Sequence, residues 1–226
     1  MNRNTILIAT MAVATLGTTT QSCVALATSS VGLAVLKQIL LGGITKGLNI
    51  FSDKDSFLAN QLIEAALPQQ LKDVNSTLQK LGLNSLVQKE KEYIAQAATF
   101  TVDVSRPILT NAVNSLTAED AARIVQGGSG TATQILKEKT SEQLMAAIAP
   151  KVDAKLNEFG LVSTLNNALA GSNLLGTLLG GQSSNALTGG ISKFASQQMV
   201  NGLFNIIQSH EQQNASTIMN SLNSIK

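Results

Sequence analysis

Cysteine occurs once in this chain, at position 23. A lone cysteine closes no intrachain disulfide, and no Cys/His cluster has zinc spacing. Tryptophan is missing, and the aromatics are Tyr93 and six phenylalanines. The interior must therefore be filled by Leu, Ile, Val and Ala, a set that suits helices. Charged residues make up only 13% of the chain, about half of the usual ~25%. The formal net charge is +2. With no basic stripe interleaved with aromatics, nothing in the charge pattern serves nucleic acid. His210 is the only histidine, which leaves acid–base chemistry few candidates. What remains is 226 residues with 44% hydrophobic content, enough for one sizeable core.

The beginning of the chain is organised as an address. Arg3 supplies a short positive start, and residues 6–16, "ILIATMAVATL", form an apolar run. That run is shorter than the ~20 residues a lone membrane-spanning helix needs, and small and polar residues follow it, as in an export signal. Two cleavage points compete. One lies before Cys23, where an apolar run, a small residue (Ser22) and cysteine resemble a bacterial lipobox, although Thr20 and Gln21 stand where the strict pattern has Leu and a small residue. The other lies after Ala27, at the small-x-small signal Ala25-Leu26-Ala27, and would discard the cysteine. The unpaired Cys23, placed at a suitable distance from the apolar run, favours lipidation there. Residues 1–22 are then a signal peptide, 23–30 a short tether and 31–226 the body. Val24 after the cysteine favours the outer membrane over the inner one. The alternative is a soluble periplasmic or secreted protein.

Apolar spacing through the body is helical. Leu33, Leu36 and Leu40 open residues 31–50, where Gly42, Gly43 and Gly47 are expected to break or loosen the helix, at ~1 kcal/mol each relative to Ala. The segment "FSDKDS" at 51–56 offers N-caps for a helix near 56–66; Asp53-x-Asp55 lacks the Gly and distal Glu of a calcium loop. Pro68 opens a helix with a buried stripe of Leu71, Val74, Leu78 and Leu81, closed by Gly82. Residues 84–104 form a longer helix whose charge run, "QKEKEY", reads as a solvated face. Pro107 marks a break and pushes Arg106 out of helical geometry. Ile108, Leu109, Ala112, Val113 and Leu116 make the next stripe.

Thr117 and Asp120 have capping-box spacing, and Glu119 and Asp120 lie in a first turn where the helix dipole favours acids. Ala121, Ile124 and Val125 face inward and Gly127 is the closing residue. Residues 127–133, "GGSGTAT", have the glycines of a phosphate loop without its Lys or preceding strand, which excludes a P-loop and leaves only a general anion preference at the helix start. Thr140-x-x-Gln143 opens a helix with Leu144, Ile148, Val152, Leu156 and Phe159 on one side; Pro150 kinks or splits it and Gly160 ends it. A short helix follows up to Gly171. Residues 171–190 mix glycine and leucine and read as a loop packed on the body. An amphipathic helix begins near 191 with Ile191, Phe194, Met199, Leu203, Phe204, Ile206 and Ile207, His210 lies in a solvated polar stretch, and Ile218, Leu222 and Ile225 mark a last short helix.

The blocks "ALPQQLKDVNSTLQKLG", "LTAEDAARIVQGGSGTATQILKEKTSEQL", "APKVDAKLNEFG" and "VNGLFNII", in this order, resemble the bacterial family catalogued as domain of unknown function 4197. The resemblance covers roughly residues 31–215 and is strongest at 116–128 with Ala132, Thr133 and Thr140. It implies an all-helical domain on exported proteins with no assigned activity, so no catalytic residue carries over. The chain departs from the family pattern at 171–190, which is longer and less charged, and after the "GLF" block, where the acidic cluster thins to Gln208, Ser209, His210 and Glu211.

The expected fold is all-α: a single irregular bundle of about eight to ten helices behind a signal segment. The expected role is non-catalytic, with no cofactor and no metal. It is a lipid-anchored envelope module that meets the membrane through Cys23 and binds a protein or an apolar ligand, without nucleic acid. A hydrolase-like enzyme is the first alternative. It has no G-x-S-x-G elbow, and it would need a triad through His210 or an acid pair assembled from Glu64, Glu119 and Asp120. A self-associating scaffold is the second.

Overall fold

The computed structural model describes residues 30–169 and 185–216. Among them are ten helices and no strand: α1 (Ser30–Phe51), α2 (Lys54–Ala59), α3 (Gln61–Ala65), α4 (Gln69–Lys80), α5 (Asn84–Thr99), α6 (Val102–Asn114), α7 (Ala118–Gly127), α8 (Thr131–Glu158), α9 (Leu161–Leu169) and α10 (Asn185–Gln213). The fold is all-α, as the periodicity implied. The signal segment, Cys23 and the tether up to residue 29, the loop expected at 171–184, and the helix expected around Ile218, Leu222 and Ile225 lie outside the described residues. The end of the Gly/Leu-rich stretch, 185–190, already belongs to α10, which starts earlier than the expected 191.

Three long helices carry the bundle. α10 lies against both α8 and α1, while α6 packs across α8 and α1. On one flank α2 meets α5 and α3 meets α10. One continuous core results, from Leu36, Leu40, Ile44 and Leu48 of α1 through Leu144, Ile148, Val152 and Leu156 of α8 to Leu203, Phe204, Ile206 and Ile207 of α10. Each such stripe repeats at three- and four-residue steps, so burial of one face holds each helix to its neighbours.

The glycines of α1 do not break it. The helix is continuous from Ser30 to Phe51 because the missing side chains are where α10 comes closest. A Cβ on Gly43 would stand 3.3 Å from the Cα and the carbonyl oxygen of Ile207, and one on Gly47 only 2.5 Å from Leu203 Cδ1. The propensity cost is offset by backbone-to-backbone packing that any larger residue forbids.

Both internal prolines are also carried within helices, contrary to expectation. Pro107 and Arg106 lie inside α6, and Pro150 lies inside α8. Each proline sits on an exposed face, and the residues whose carbonyls lose their partner, Asp103 and Ala146, are exposed as well, so water takes the missing bond. The expected long helix 84–104 ends instead at Thr99, and Thr101 begins the next, its hydroxyl donating to Ala98 O at 2.7 Å. The expected helix at 56–66 is two, split at Asn60, whose Oδ1 caps α3 by accepting from Leu62 and Ile63 N–H. Thr140 opens nothing: it lies within α8, and its hydroxyl turns back to Leu136 O at 2.7 Å.

Other local readings hold. Asp53 caps α2 through Ser56 N–H. Thr117 and Asp120 make both bonds of a capping box at the start of α7. Gly82 and Gly160 end their helices at positive φ. Pro68 stands one residue earlier than expected, at the N-cap of α4. Gly127 is the last residue of α7, and the positive φ falls on Gly128. Leu81 is no part of the buried stripe; at 54% exposure it looks outward. Phe159 is half-buried and stacks on Tyr93 with ring centroids 5.0 Å apart.

The α1–α10 seam predicts a specific sensitivity. Gly43→Leu, despite better helix propensity, should lower stability by about 1–3 kcal/mol because Ile207 backbone cannot yield. Ala34→Leu, on the exposed face of the same helix, should change it little. Urea unfolding midpoints of the two variants make the comparison.

Candidate functional site

The glycine-rich loop before α8 is where the sequence hinted at an anion, and the structure places one there from the chain itself. Gly130 takes a left-handed conformation at φ +94, open to glycine at little cost. Its N–H donates to Glu211 Oε1 at 2.9 Å, joined by Ala132 N–H at 3.2 Å. Thr133 N–H and its hydroxyl donate to Glu211 Oε2 at 2.8 and 2.6 Å. The carboxylate, 2% exposed, thus occupies the positive end of the longest helix but one in the bundle. A Cβ at Gly130 would also come within 2.9 Å of Gln208 Nε2, a flexible side-chain end that can move, so it is the positive φ that favours glycine here. This feature is an internal clamp between α8 and α10, and its anion-binding capacity is already used.

A second acid behaves differently. Glu90 lies on α5 within the charge run expected to be solvated, yet it is 0% exposed. That expectation fails because Val87, Glu90 and Ile94 follow the three- and four-residue steps of the buried face; the flanking lysines and glutamate hide this signal. Neither oxygen of Glu90 meets a donor in good hydrogen-bonding geometry; the amide of buried Asn75 lies near enough to favour the charged form without closing a well-formed bond, and it makes no bond elsewhere. Gln198 of α10 donates through Nε2 to Ile63 O at 3.4 Å, which leaves its Oε1 free. Burial pushes the pKa of Glu90 from its ordinary 4.5 up to about 7; Asn75 and Lys91 pull it partly back, and Glu64 adds to the rise.

These groups border a recess of about 50 Å³ between α2, α3, α5 and α10. Phe57, Leu58, Ile63, Leu67 and Ile94 give it apolar walls, and Glu64 and Lys91 stand in its lining with Glu90 and Gln198. Lys91 Nζ lies 3.0 Å from Glu64 Oε1, with both side chains partly in solvent. Lys91 therefore pairs with Glu64, whereas Glu90 has no ion-pair partner and feels the Lys91 charge only at a distance.

A family model described as "Protein of unknown function (DUF4197)" matches residues 27–223. The chain belongs to this family. No curated protein and no solved structure matches it.

Against the DUF4197 fold, the acid pair envisaged from Glu64, Glu119 and Asp120 is not assembled. Asp120 is spent on Thr117 and on Lys139 Nζ at 3.0 Å. Burial works against its charge, but the Thr117 backbone and Lys139 hold the carboxyl below its usual range. Glu119 is exposed. Glu64 shares its recess with Glu90, a residue the sequence reading passed over. His210 is not fully solvated: it is half-buried beside Gly42 and Asn214, and burial, then the Lys46 charge, lower its pKa. Among the described residues no group of three or more His, Cys, Asp or Glu side chains could hold a metal.

Two outcomes follow. Glu211→Ala strands three backbone N–H donors and a hydroxyl and should cost roughly 3 kcal/mol or more, whereas exposed Gln212→Ala should cost almost nothing; thermal melts decide it. For Glu90, the folded pKa lies above the unfolded one, so its contribution to stability is complete below about 4.5 and is lost as pH rises through about 7. The loss is about 3 kcal/mol at most. His210 pulls the other way in an overlapping range, since its folded pKa is lowered. The difference between Glu90→Gln and the parent isolates Glu90: Glu90→Gln should be the more stable above pH 7, and the gap should close toward pH 4.5, as read by denaturant titrations at each pH.

Proposed function

We propose that this DUF4197 chain is exported, is held on a membrane through lipidated Cys23, and works there by binding a ligand in the Glu90 recess without transforming it. The single observation carrying the binding part is a fully buried, unpartnered carboxyl facing a small apolar-walled recess, where Gln198 also presents an unused acceptor. Unpaired buried polar groups are costly, and a bound water, ion or ligand is one way in which such a group is completed.

The export part draws on residues 1–27. Within the described residues, Gly32–Phe51 is also long and apolar enough to cross a membrane. Its Leu36, Leu40, Ile44, Leu48 and Phe51 are buried in the bundle and its Gln38, Thr45, Lys46 and Asn49 are exposed, a pattern that favours a core helix. That leaves the earlier apolar run, residues 6–16, as the targeting element.

A hydrolase reading has one observation in its favour: two carboxyls, Glu64 and Glu90, lie in one recess, and Glu90 is the more easily protonated.

The test is intact-mass measurement of the protein from fractionated cells, with Cys23→Ser alongside. The expected result is a mature N-terminus at Cys23 with added acyl mass in the membrane fraction, and a Cys23→Ser form without it. An N-terminus at Thr28, or unprocessed chain in the cytosol, would overturn the tether. Native mass spectrometry of the same material should show a bound small species that Glu90→Gln loses.

A further inference from the structure

Charge balance around the recess is short by one cation. α2 contributes no charged side chain to its lining, α3 contributes Glu64, and α5 contributes Glu90 and Lys91; α10 contributes the neutral Gln198, and α4 places neutral Asn75 beside Glu90. Lys91 is engaged by Glu64 at 3.0 Å. Glu90 is left as an interior carboxyl with no countercharge, and an interior carboxyl resolves that state by taking up a proton or a cation. The recess lies against this carboxyl, which is itself closed to water, so a cation reaches it by displacing the side chains that line the recess.

Resting on the reading of the recess as a binding site, we infer that it takes a primary alkylammonium group. An ammonium has three N–H donors. The unpartnered acceptors on residues of the lining are Glu90 Oε1 and Oε2 and Gln198 Oε1, three for three donors. A short alkyl tail would lie along Phe57, Leu58 and Leu67 toward the opening. About 50 Å³ suits such a head, since a water needs ~10–15 Å³ by the same kind of measure. A hard divalent cation is a poorer match, because it asks for six to eight oxygens, and apolar side chains form most of these walls.

The ammonium competes with the proton for one carboxyl, and this makes the site measurable in the full-length chain without knowing the natural ligand. The Glu90 carboxyl carbon is followed by NMR across pH in n-propylammonium chloride and, at equal concentration, in tetramethylammonium chloride. Propylammonium should lower the titration midpoint from about 7, by roughly one pH unit at a tenfold excess over its dissociation constant. Tetramethylammonium, with no N–H, should leave it in place. Identical midpoints in the two salts overturn the inference. Glu90→Gln should lose the thermal stabilisation by propylammonium above pH 7, and equal stabilisation of variant and parent also overturns it. Should Glu90→Gln fail to fold, the midpoints of the parent chain decide alone. Two further arms separate sources of the amine: vesicles of phosphatidylethanolamine against phosphatidylcholine, and free 1,4-diaminobutane. A downward shift in either arm supports the site and names its source. A bound species that Glu90→Gln loses and that carries no amine overturns the ammonium assignment while the binding reading stands; the Cys23 mass readout is independent of both.

Discussion

The bundle turns on one carboxylate. Glu211 reaches from the last turns of α10 into the start of α8 and answers four donors that no neighbouring side chain supplies. Without it, α8 would begin with orphaned N–H groups in a buried place, an arrangement folded proteins rarely tolerate. The same contact fixes the register of α10 on α8, and α10 in turn presents Leu203 and Ile207 to the glycines of α1. Three long helices are thus positioned by a clamp at one end and a close seam along the other pair.

Two buried acids in one small protein illustrate opposite solutions. Glu211 is fully hydrogen-bonded and its charge is matched by a helix terminus. Glu90 has apolar walls, an unpaired amide and no countercharge. The first arrangement serves the fold. The second works against it at neutral pH.

What the sequence made legible was local. The Thr117–Asp120 box, the Gly82 and Gly160 ends and the α8 stripe from Leu144 to Leu156 all depend on residues within a turn or two, and all are found as read. What it concealed was tertiary. Gly42, Gly43 and Gly47 look like breakers until α10 is seen against them, with the His210 ring at Gly42, the Ile207 backbone at Gly43 and the Leu203 side chain at Gly47. Pro107 looks like a break, and Pro150 like a kink or a split, until both are found inside continuous helices on solvent-facing sides. Glu90 was hidden by the lysines around it, although its spacing from Val87 and Ile94 was there to be used. The role of Glu211 could not be read at all, because its partners lie 78 to 81 residues away.

That separation carries a consequence for how the molecule assembles. The clamp on α8 and the seam on α1 both need the far end of the chain, so neither can close while that end is still being made or moved. A polypeptide with this wiring cannot close its core until α10 is present. The two halves of the lock, the loop before α8 and the carboxylate on α10, are made some eighty residues apart and meet late in assembly.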